Sequence, residues 1–268
     1  MFQDMKKVLI FIVCLIFIVS CKFKLGNDPN NGVQYENYPD GTVKSQYTLR
    51  NGLREGIVRN YTQEGKLFST AEYKNDLRDG WLINYNEANG KLVLKFYFKK
   101  DTQNGPAFHY YDQGQLFRES NYVKGRVNGV IKTYWPNGNL KAENTFKMGK
   151  PGLGLKEYEK DGKTIINQPN ILVKEINQAT LLNKVILKIS ISDGTDDAEV
   201  YVDDFDLEDG KFFNPYSHSL TKDDGGVASI EYHVPRGTTL IRKIHIVAKL
   251  KTKFGNTLIL HKYCNLAI

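Results

Sequence analysis

Cysteine is scarce in this sequence, with three residues among 268, at Cys14, Cys21 and Cys264. If the chain is processed before Cys21, as its N-terminus suggests, only Cys264 remains besides the processed cysteine. No intrachain disulfide and no cysteine metal cluster could then form, which excludes a disulfide-stabilised domain. Cys264 follows an apolar, strand-like run, and we interpret it as a small buried hydrophobic residue.

Catalytic and metal-binding signatures are also lacking. The five histidines form no His-x-x-x-His pair, and the chain has neither a Gly-x-Ser-x-Gly elbow nor a phosphate-binding glycine loop followed by Lys-Ser/Thr. His109 falls where neighbouring repeats carry other polar residues, and we interpret His245 and His261 as exposed strand residues. We therefore expect a protein that is not an enzyme and needs no cofactor.

One apolar run occurs near the N-terminus, over residues 8–19, and it is shorter than the about 20 residues of a membrane-spanning helix. Lys6 and Lys7 precede it, as in a secretory signal. The following Ile18-Val19-Ser20-Cys21 resembles the lipobox of bacterial lipoproteins, in which the cysteine is lipidated, with palmitate as a typical acyl chain. An ordinary signal peptide or a buried apolar segment is the alternative.

This N-terminus predicts the location of the protein. We expect residues 1–20 to be a lipoprotein signal peptide, Cys21 to be the lipidation site, and residues 21–33 to be a polar tether. A lipidated cysteine with several acyl chains gives stable membrane anchoring. The expected location is the bacterial cell envelope, at the outer membrane or the cell surface, where nucleic acid is not an expected partner.

A repeat of 24 or 25 residues dominates the following part of the chain. A turn glycine recurs at positions 41, 65, 90, 114, 138 and 162, and an insertion between Tyr85 and Gly90 accounts for the single interval of 25. Another glycine precedes a recurring tyrosine by five residues. The tyrosines of the four central copies are Tyr61, Tyr85, Tyr110 and Tyr134.

Each half of the repeat has the length of one short strand. Glycine, asparagine or aspartate bounds every half, and such residues permit turns with positive φ. Alternation places Leu67, Ser69, Ala71 and Tyr73 on one side of a strand. The sequence therefore predicts stacked β-hairpins in which equivalent residues lie next to each other across strands.

The order Gly, four residues, Tyr, three residues, Gly, one residue, Leu, then an aromatic six positions later resembles the variant MORN repeat of bacteria. That family includes antitoxin-like proteins of the YwqK type. The resemblance covers roughly residues 37–163, and it departs from the pattern at Tyr38, one place closer to its glycine, and at Thr164, where leucine is expected. It implies a hairpin array with an interaction role, and it supplies no catalytic residues.

The recurring tyrosines admit two interpretations. They could form a stacking surface for glycans or peptides, because aromatic side chains offer a large rigid contact area. They could instead be the internal spine of the sheet, which we favour because every copy retains the position and repeats need a continuous core.

The period ends near Lys163, and we place a domain boundary between residues 168 and 169. Short alternating strands follow, separated by glycine-containing turns, and they predict a small antiparallel β-sandwich. The expected strands cover residues 171–176, 184–192, 198–202, 227–234, 240–250 and 257–263. The predicted fold is all-β: MORN-type hairpin repeats over residues 34–168, then a sandwich-like domain over 169–268.

Charge is unevenly distributed. Residues 21–168 contain 23 Lys and Arg against 16 Asp and Glu, whereas residues 193–209 contain nine carboxylates and no basic residue. Oxygen-rich loops can bind calcium, and Asp203, Asp204 and Asp206 are the candidate ligands. The spacing does not match an EF-hand, so we favour a solvated acidic loop without metal.

The expected function is that of a membrane-anchored binding lipoprotein whose repeat array contacts a protein partner, with an antitoxin- or immunity-like role as the specific hypothesis. An envelope scaffold or an adhesion protein that binds glycans through exposed tyrosines is the alternative. A metal-dependent enzyme using the acidic stretch is the third hypothesis, and the least favoured.

Overall fold

The computed structural model describes residues 28–203, 207–213 and 219–268. These residues form one large and two small antiparallel sheets and one short helix. The strands are β1 Gly32–Asn37, β2 Val43–Arg50, β3 Leu53–Arg54, β4 Gly56–Tyr61, β5 Leu67–Lys74, β6 Leu77–Tyr85, β7 Leu92–Lys99, β8 Thr102–Tyr110, β9 Leu116–Val123, β10 Arg126–Val127, β11 Gly129–Tyr134, β12 Leu140–Lys147, β13 Lys150–Pro151, β14 Lys156–Glu157, β15 Ile171–Gln178, β16 Lys184–Ile191, β17 Glu199–Asp203, β18 Ala228–His233, β19 Ile241–Lys251 and β20 Thr257–Ala267, and helix α1 is Ala179–Leu182.

The repeats form the large sheet of 14 strands, of which eleven follow one another in chain order along its main path, while β3, β10 and β14 pair beside that path. The first turn of each copy is closed by backbone hydrogen bonds; in one copy the Thr62 N–H donates to the Lys66 carbonyl at 2.8 Å and the Gly65 N–H to the Thr62 carbonyl at 2.9 Å. The predicted stacked-hairpin array is confirmed. No described helix is long and apolar enough to cross a membrane.

The second turn of each copy stacks on the copy before it. Both central residues have positive φ, 49° at Asn75 and 68° at Asp76, as in the tight turns that suit the twist of paired strands. The Asp76 N–H donates to the Arg54 carbonyl at 3.0 Å, and the equivalent Asp101 N–H donates to the Arg78 carbonyl at 2.9 Å. Each second turn is therefore hydrogen-bonded to the copy before it, and the 24-residue period brings equivalent turns next to each other in the array.

The structure explains the position of Tyr38. Its N–H donates to the Thr42 carbonyl at 2.8 Å, the same turn bond that Tyr111 and Trp135 make to residues four positions later. The Tyr38 hydroxyl donates to the Tyr61 carbonyl at 2.9 Å, and that of Tyr111 donates to the Tyr134 carbonyl at 2.7 Å. Tyr38 therefore occupies the repeat position that follows the recurring tyrosine and links its turn to the next copy.

The C-terminal residues form two three-stranded sheets, β15-β16-β18 and β17-β19-β20. Their inward side chains share one hydrophobic core, which contains Val185, Leu187 and Ile189 from one sheet and Ile244 and Ile246 from the other. This arrangement confirms a β domain after the repeats. The same core also includes Ala142 and Leu155 from the end of the repeat region, so the two parts of the chain pack together.

The prediction that His245 is exposed is wrong. His245 is only 4% exposed, because the second side of β19 is also covered. Leu207 and Phe213 pack with Val247 in a separate hydrophobic cluster on that side. Alternation suggested one solvent-facing side for this strand, whereas the segment 207–213 covers that side at Val247 and the Tyr263 ring stacks on His245 with 4.4 Å between ring centroids. His261 is exposed, as expected, and Cys264 is half-buried against the main core.

The N-terminal predictions fall largely outside the described residues: the signal peptide, Cys21 and the tether up to residue 27. The array begins slightly before the expected boundary at residue 34, because β1 starts at Gly32, which pairs with Leu49. The preceding turn is also folded onto the array, since the Gly52 N–H donates to the Asn30 carbonyl at 2.7 Å.

Candidate interaction surface

The large sheet has two distinct faces. We call the face with Tyr61, Tyr85, Tyr110 and Tyr134 the tyrosine face. The opposite face contacts the C-terminal domain through Ala142 and Asn144, and we call it the domain face. Cross-strand pairs define the two faces. Thr133 pairs with Arg118 and Ala142, so these three residues lie on the domain face. Tyr134 is the next residue of the strand and therefore lies on the opposite face.

All four tyrosines are half-buried, so each ring is neither enclosed in a core nor fully accessible. The Tyr134 hydroxyl donates to the Glu119 carboxylate at 2.6 Å, and the Tyr61 hydroxyl approaches the Gln46 side-chain oxygen at 3.5 Å. Burial and the Glu119 carboxylate both raise the pKa of Tyr134, and burial raises the pKa of Tyr110. Tyr134 thus stays protonated at neutral pH, and its hydroxyl ties β11 to β9.

Aromatic and cationic side chains form a cluster on the tyrosine face at the middle of the array. The Trp81 ring lies 5.3 Å from the Tyr97 ring and 6.3 Å from the Phe108 ring. The Lys95 ammonium lies 4.0 Å from the Trp81 ring centroid, within cation–π range. The repeat pattern does not reveal this cluster, because Trp81 and Lys95 do not recur at equivalent positions of the repeat.

The two faces differ in how they expose apolar groups. On the tyrosine face Ile57 and Val130 are 44% and 46% exposed, and Tyr35 of the edge strand β1 is 58% exposed. On the domain face Ala71 and Ala107 are buried even in copies distant from the C-terminal domain. Exposed apolar and aromatic groups next to mixed charges are typical of surfaces that bind other proteins.

Paired charges line the edge of the array formed by the second turns. The Arg54 guanidinium donates to the Asp76 carboxylate, and the Arg78 guanidinium donates to the Asp101 carboxylate at 2.8 Å. These contacts lower the pKa of both carboxylates. The Arg78 guanidinium also lies 4.3 Å from the Phe98 ring centroid. The charges on this edge are therefore paired with each other within the array, and these pairs connect consecutive copies.

The candidate calcium ligands lie largely outside the described part of the chain. Asp204 and Asp206 lie outside the described residues, and Asp203 ends β17. Two neighbouring carboxylates are engaged otherwise: Glu208 pairs with Lys150, and Asp209 pairs with Lys147 at the end of the array. Among described residues, no group of three or more His, Cys, Asp or Glu side chains is placed to hold a metal ion.

Comparison with known families agrees with this geometry. The family model described as MORN repeat variant matches residues 54–75, 103–124 and 127–148, and each match spans the hairpin that carries one recurring tyrosine. The chain therefore carries MORN repeats of the variant type. The matched segments omit the copy that has the extra residue between Tyr85 and Gly90. No curated protein matches the chain.

Proposed function

We propose that this protein is a membrane-anchored, extracytoplasmic lipoprotein whose tyrosine face binds a protein partner. The observation that carries the proposal is the exposure of Ile57 and Val130 on the same face of the array as the half-buried Trp81 cluster. MORN repeats are consistent with protein or membrane association. The antitoxin- or immunity-like role remains part of this proposal, and it would make the partner a toxin that reaches the envelope.

Partner binding is tested by charging the exposed apolar positions. The double variant Ile57→Asp/Val130→Asp should lose at least about tenfold in affinity, because exposed apolar groups at the centre of an interface contribute most of the binding energy. The measurement is capture of a specific protein by the full chain from solubilised membranes, followed by titration of that protein. Leu181→Asp is the matched control, since Leu181 is 82% exposed in α1 of the C-terminal domain. Equal binding by the double variant and the wild type would contradict the proposed surface.

The membrane anchor is tested separately. Cys21→Ser should abolish incorporation of a labelled fatty acid and release the protein from the membrane fraction, because the acyl chains are the proposed attachment. Cys264→Ser is the control and should remain labelled, since Cys264 lies at the C-terminal β20 against the core. Labelling of the Cys21→Ser variant at the wild-type level would refute lipidation at this residue.

A further inference from the structure

A cavity of about 320 Å³ lies on the domain face, where the tip of the β19–β20 hairpin packs over the last repeats. Arg118, Thr133 and Asn144 line it from the array, and Lys251 and Phe254 line it from the hairpin. Its volume is within the range of small-molecule sites, roughly 300–1,000 Å³. It lies on the side of the sheet opposite the tyrosine face and is therefore independent of the proposed partner surface.

Three buried polar atoms of the cavity wall make no hydrogen bond within the protein: Arg118 Nε, Thr133 Oγ1 and Asn144 Oδ1. The other side-chain atom of Asn144, Nδ2, donates to the Thr257 carbonyl at 3.0 Å, so this side chain is held in place. Buried polar groups normally have partners, because an unpaired one is destabilising. Arg118, Thr133 and Asn144 therefore make the array side of the cavity wall polar, which favours a polar ligand over an apolar one.

The cavity is also positively charged. Arg118, Lys141 and Lys251 contribute three cations to its lining, and the described lining residues include no Asp or Glu. The Lys141 ammonium is held 4.6 Å from the Trp135 ring and 5.0 Å from the Phe254 ring. An anionic group would form charge-assisted hydrogen bonds here, which are stronger than neutral ones, and a guanidinium is suited to bind a carboxylate.

Aromatic side chains complete the wall. Phe117 and Phe146 from the array and Phe254 from the hairpin line the same cavity. Flat aromatic surfaces pack against the C–H face of a compact ring, while Thr133 and Asn144 offer partners for hydroxyl groups. We propose that the cavity binds a small hydroxylated carboxylate about the size of one sugar-acid ring.

The test uses D-glucuronate as the probe, titrated into the full chain by calorimetry. We expect saturable binding, with D-glucose and inorganic phosphate each at least about tenfold weaker, because glucose lacks the charge and phosphate lacks the hydroxylated ring. Absence of saturable glucuronate binding would overturn the proposal. Equal binding of glucose would overturn the role of the cations, and equal binding of phosphate would overturn the role of the ring.

Two variants locate the site. Arg118→Met keeps the apolar stem and removes the guanidinium, and it should weaken glucuronate binding at least about tenfold. Lys251→Met, at the exposed end of β19, should weaken binding in the same direction with little risk to folding. Lys132→Met is the matched control, because Lys132 precedes Thr133 on β11 and pairs with Glu143 on the tyrosine face. Wild-type affinity in both cavity variants, or an equal loss in the control, would contradict this site.

Discussion

Replacing Ile246 with alanine is expected to lower the free energy of unfolding by about 4 kcal/mol. Ile246 is fully buried in the middle of β19 and packs in the main core of the C-terminal domain. Its truncation removes apolar contacts and leaves a cavity between two sheets that cannot close, and changes of this kind cost about 2–5 kcal/mol. Urea unfolding followed by circular dichroism measures the change.

The control lies on the same strand. Ile241 is 80% exposed, so Ile241→Ala should change the free energy of unfolding by less than about 0.5 kcal/mol. A comparable loss in both variants would show that β19 contributes through strand propensity and not through core packing.

The Ile246→Ala variant also tests whether the repeats and the C-terminal domain unfold together. Both tryptophans of the chain, Trp81 and Trp135, lie in the repeat array. Because Ala142 and Leu155 share a core with Ile246, the loss of Ile246 should also shift the unfolding transition seen by tryptophan fluorescence. A fluorescence transition that stays at the wild-type midpoint while circular dichroism shifts would mean that the array unfolds on its own.

The array was predictable from sequence because every stabilising element recurs at a fixed interval. The turn glycines, the recurring tyrosine and the leucine after the turn each occupy one position of the hairpin, and stacking repeats that environment along the sheet. The second turns illustrate this: Asn75 and Asp76, like Lys100 and Asp101, adopt positive φ although neither pair contains glycine. The aspartate in each turn and the repeat period together located these turns.

Non-repeating contacts were not predictable in the same way. His245 looked exposed because alternation describes a strand with one free side, and nothing near it in sequence revealed that Tyr263 of β20 stacks on it or that residues 207–213 cover Val247 on the same side. The cavity on the domain face depends on Arg118 and Phe254, which are separated by more than half the chain. The tyrosine position was found, but periodicity did not show that these side chains would be half-buried, or that Tyr134 would hydrogen-bond to Glu119 of β9.

The contact between the array and the C-terminal domain yields the second large expected effect. Glu157 of β14 is 1% exposed, and its Oε1 accepts hydrogen bonds from Thr252 Oγ1 at 2.6 Å and Asn256 Nδ2 at 2.7 Å. Those donors form the turn between β19 and β20. Glu157→Ala removes the acceptor of both half-buried donors, at about 1–3 kcal/mol for each. We expect a loss of about 3 kcal/mol in the free energy of unfolding.

Two further substitutions separate the hydrogen bonds from general effects of charge. Glu157→Gln keeps the shape and one oxygen acceptor, so its loss should be about 1 kcal/mol. Glu159→Ala removes an exposed carboxylate 3.5 Å from the Lys253 ammonium, and solvent-exposed pairs contribute less than about 1 kcal/mol. If Glu159→Ala costs as much as Glu157→Ala, the buried carboxylate is not what holds the two parts together.

Limited proteolysis gives an independent measurement of the same contact. Lys251 precedes the turn that Glu157 holds and Lys253 lies within it, and the Thr252 N–H closes this turn by donating to the Asn256 carbonyl at 3.0 Å. Glu157→Ala should therefore speed tryptic cleavage at these lysines relative to both Glu157→Gln and Glu159→Ala, because local opening of the turn precedes cleavage. Faster cleavage together with an unchanged unfolding midpoint of the C-terminal domain would show that this carboxylate fixes the β19–β20 hairpin against the array without stabilising the domain itself.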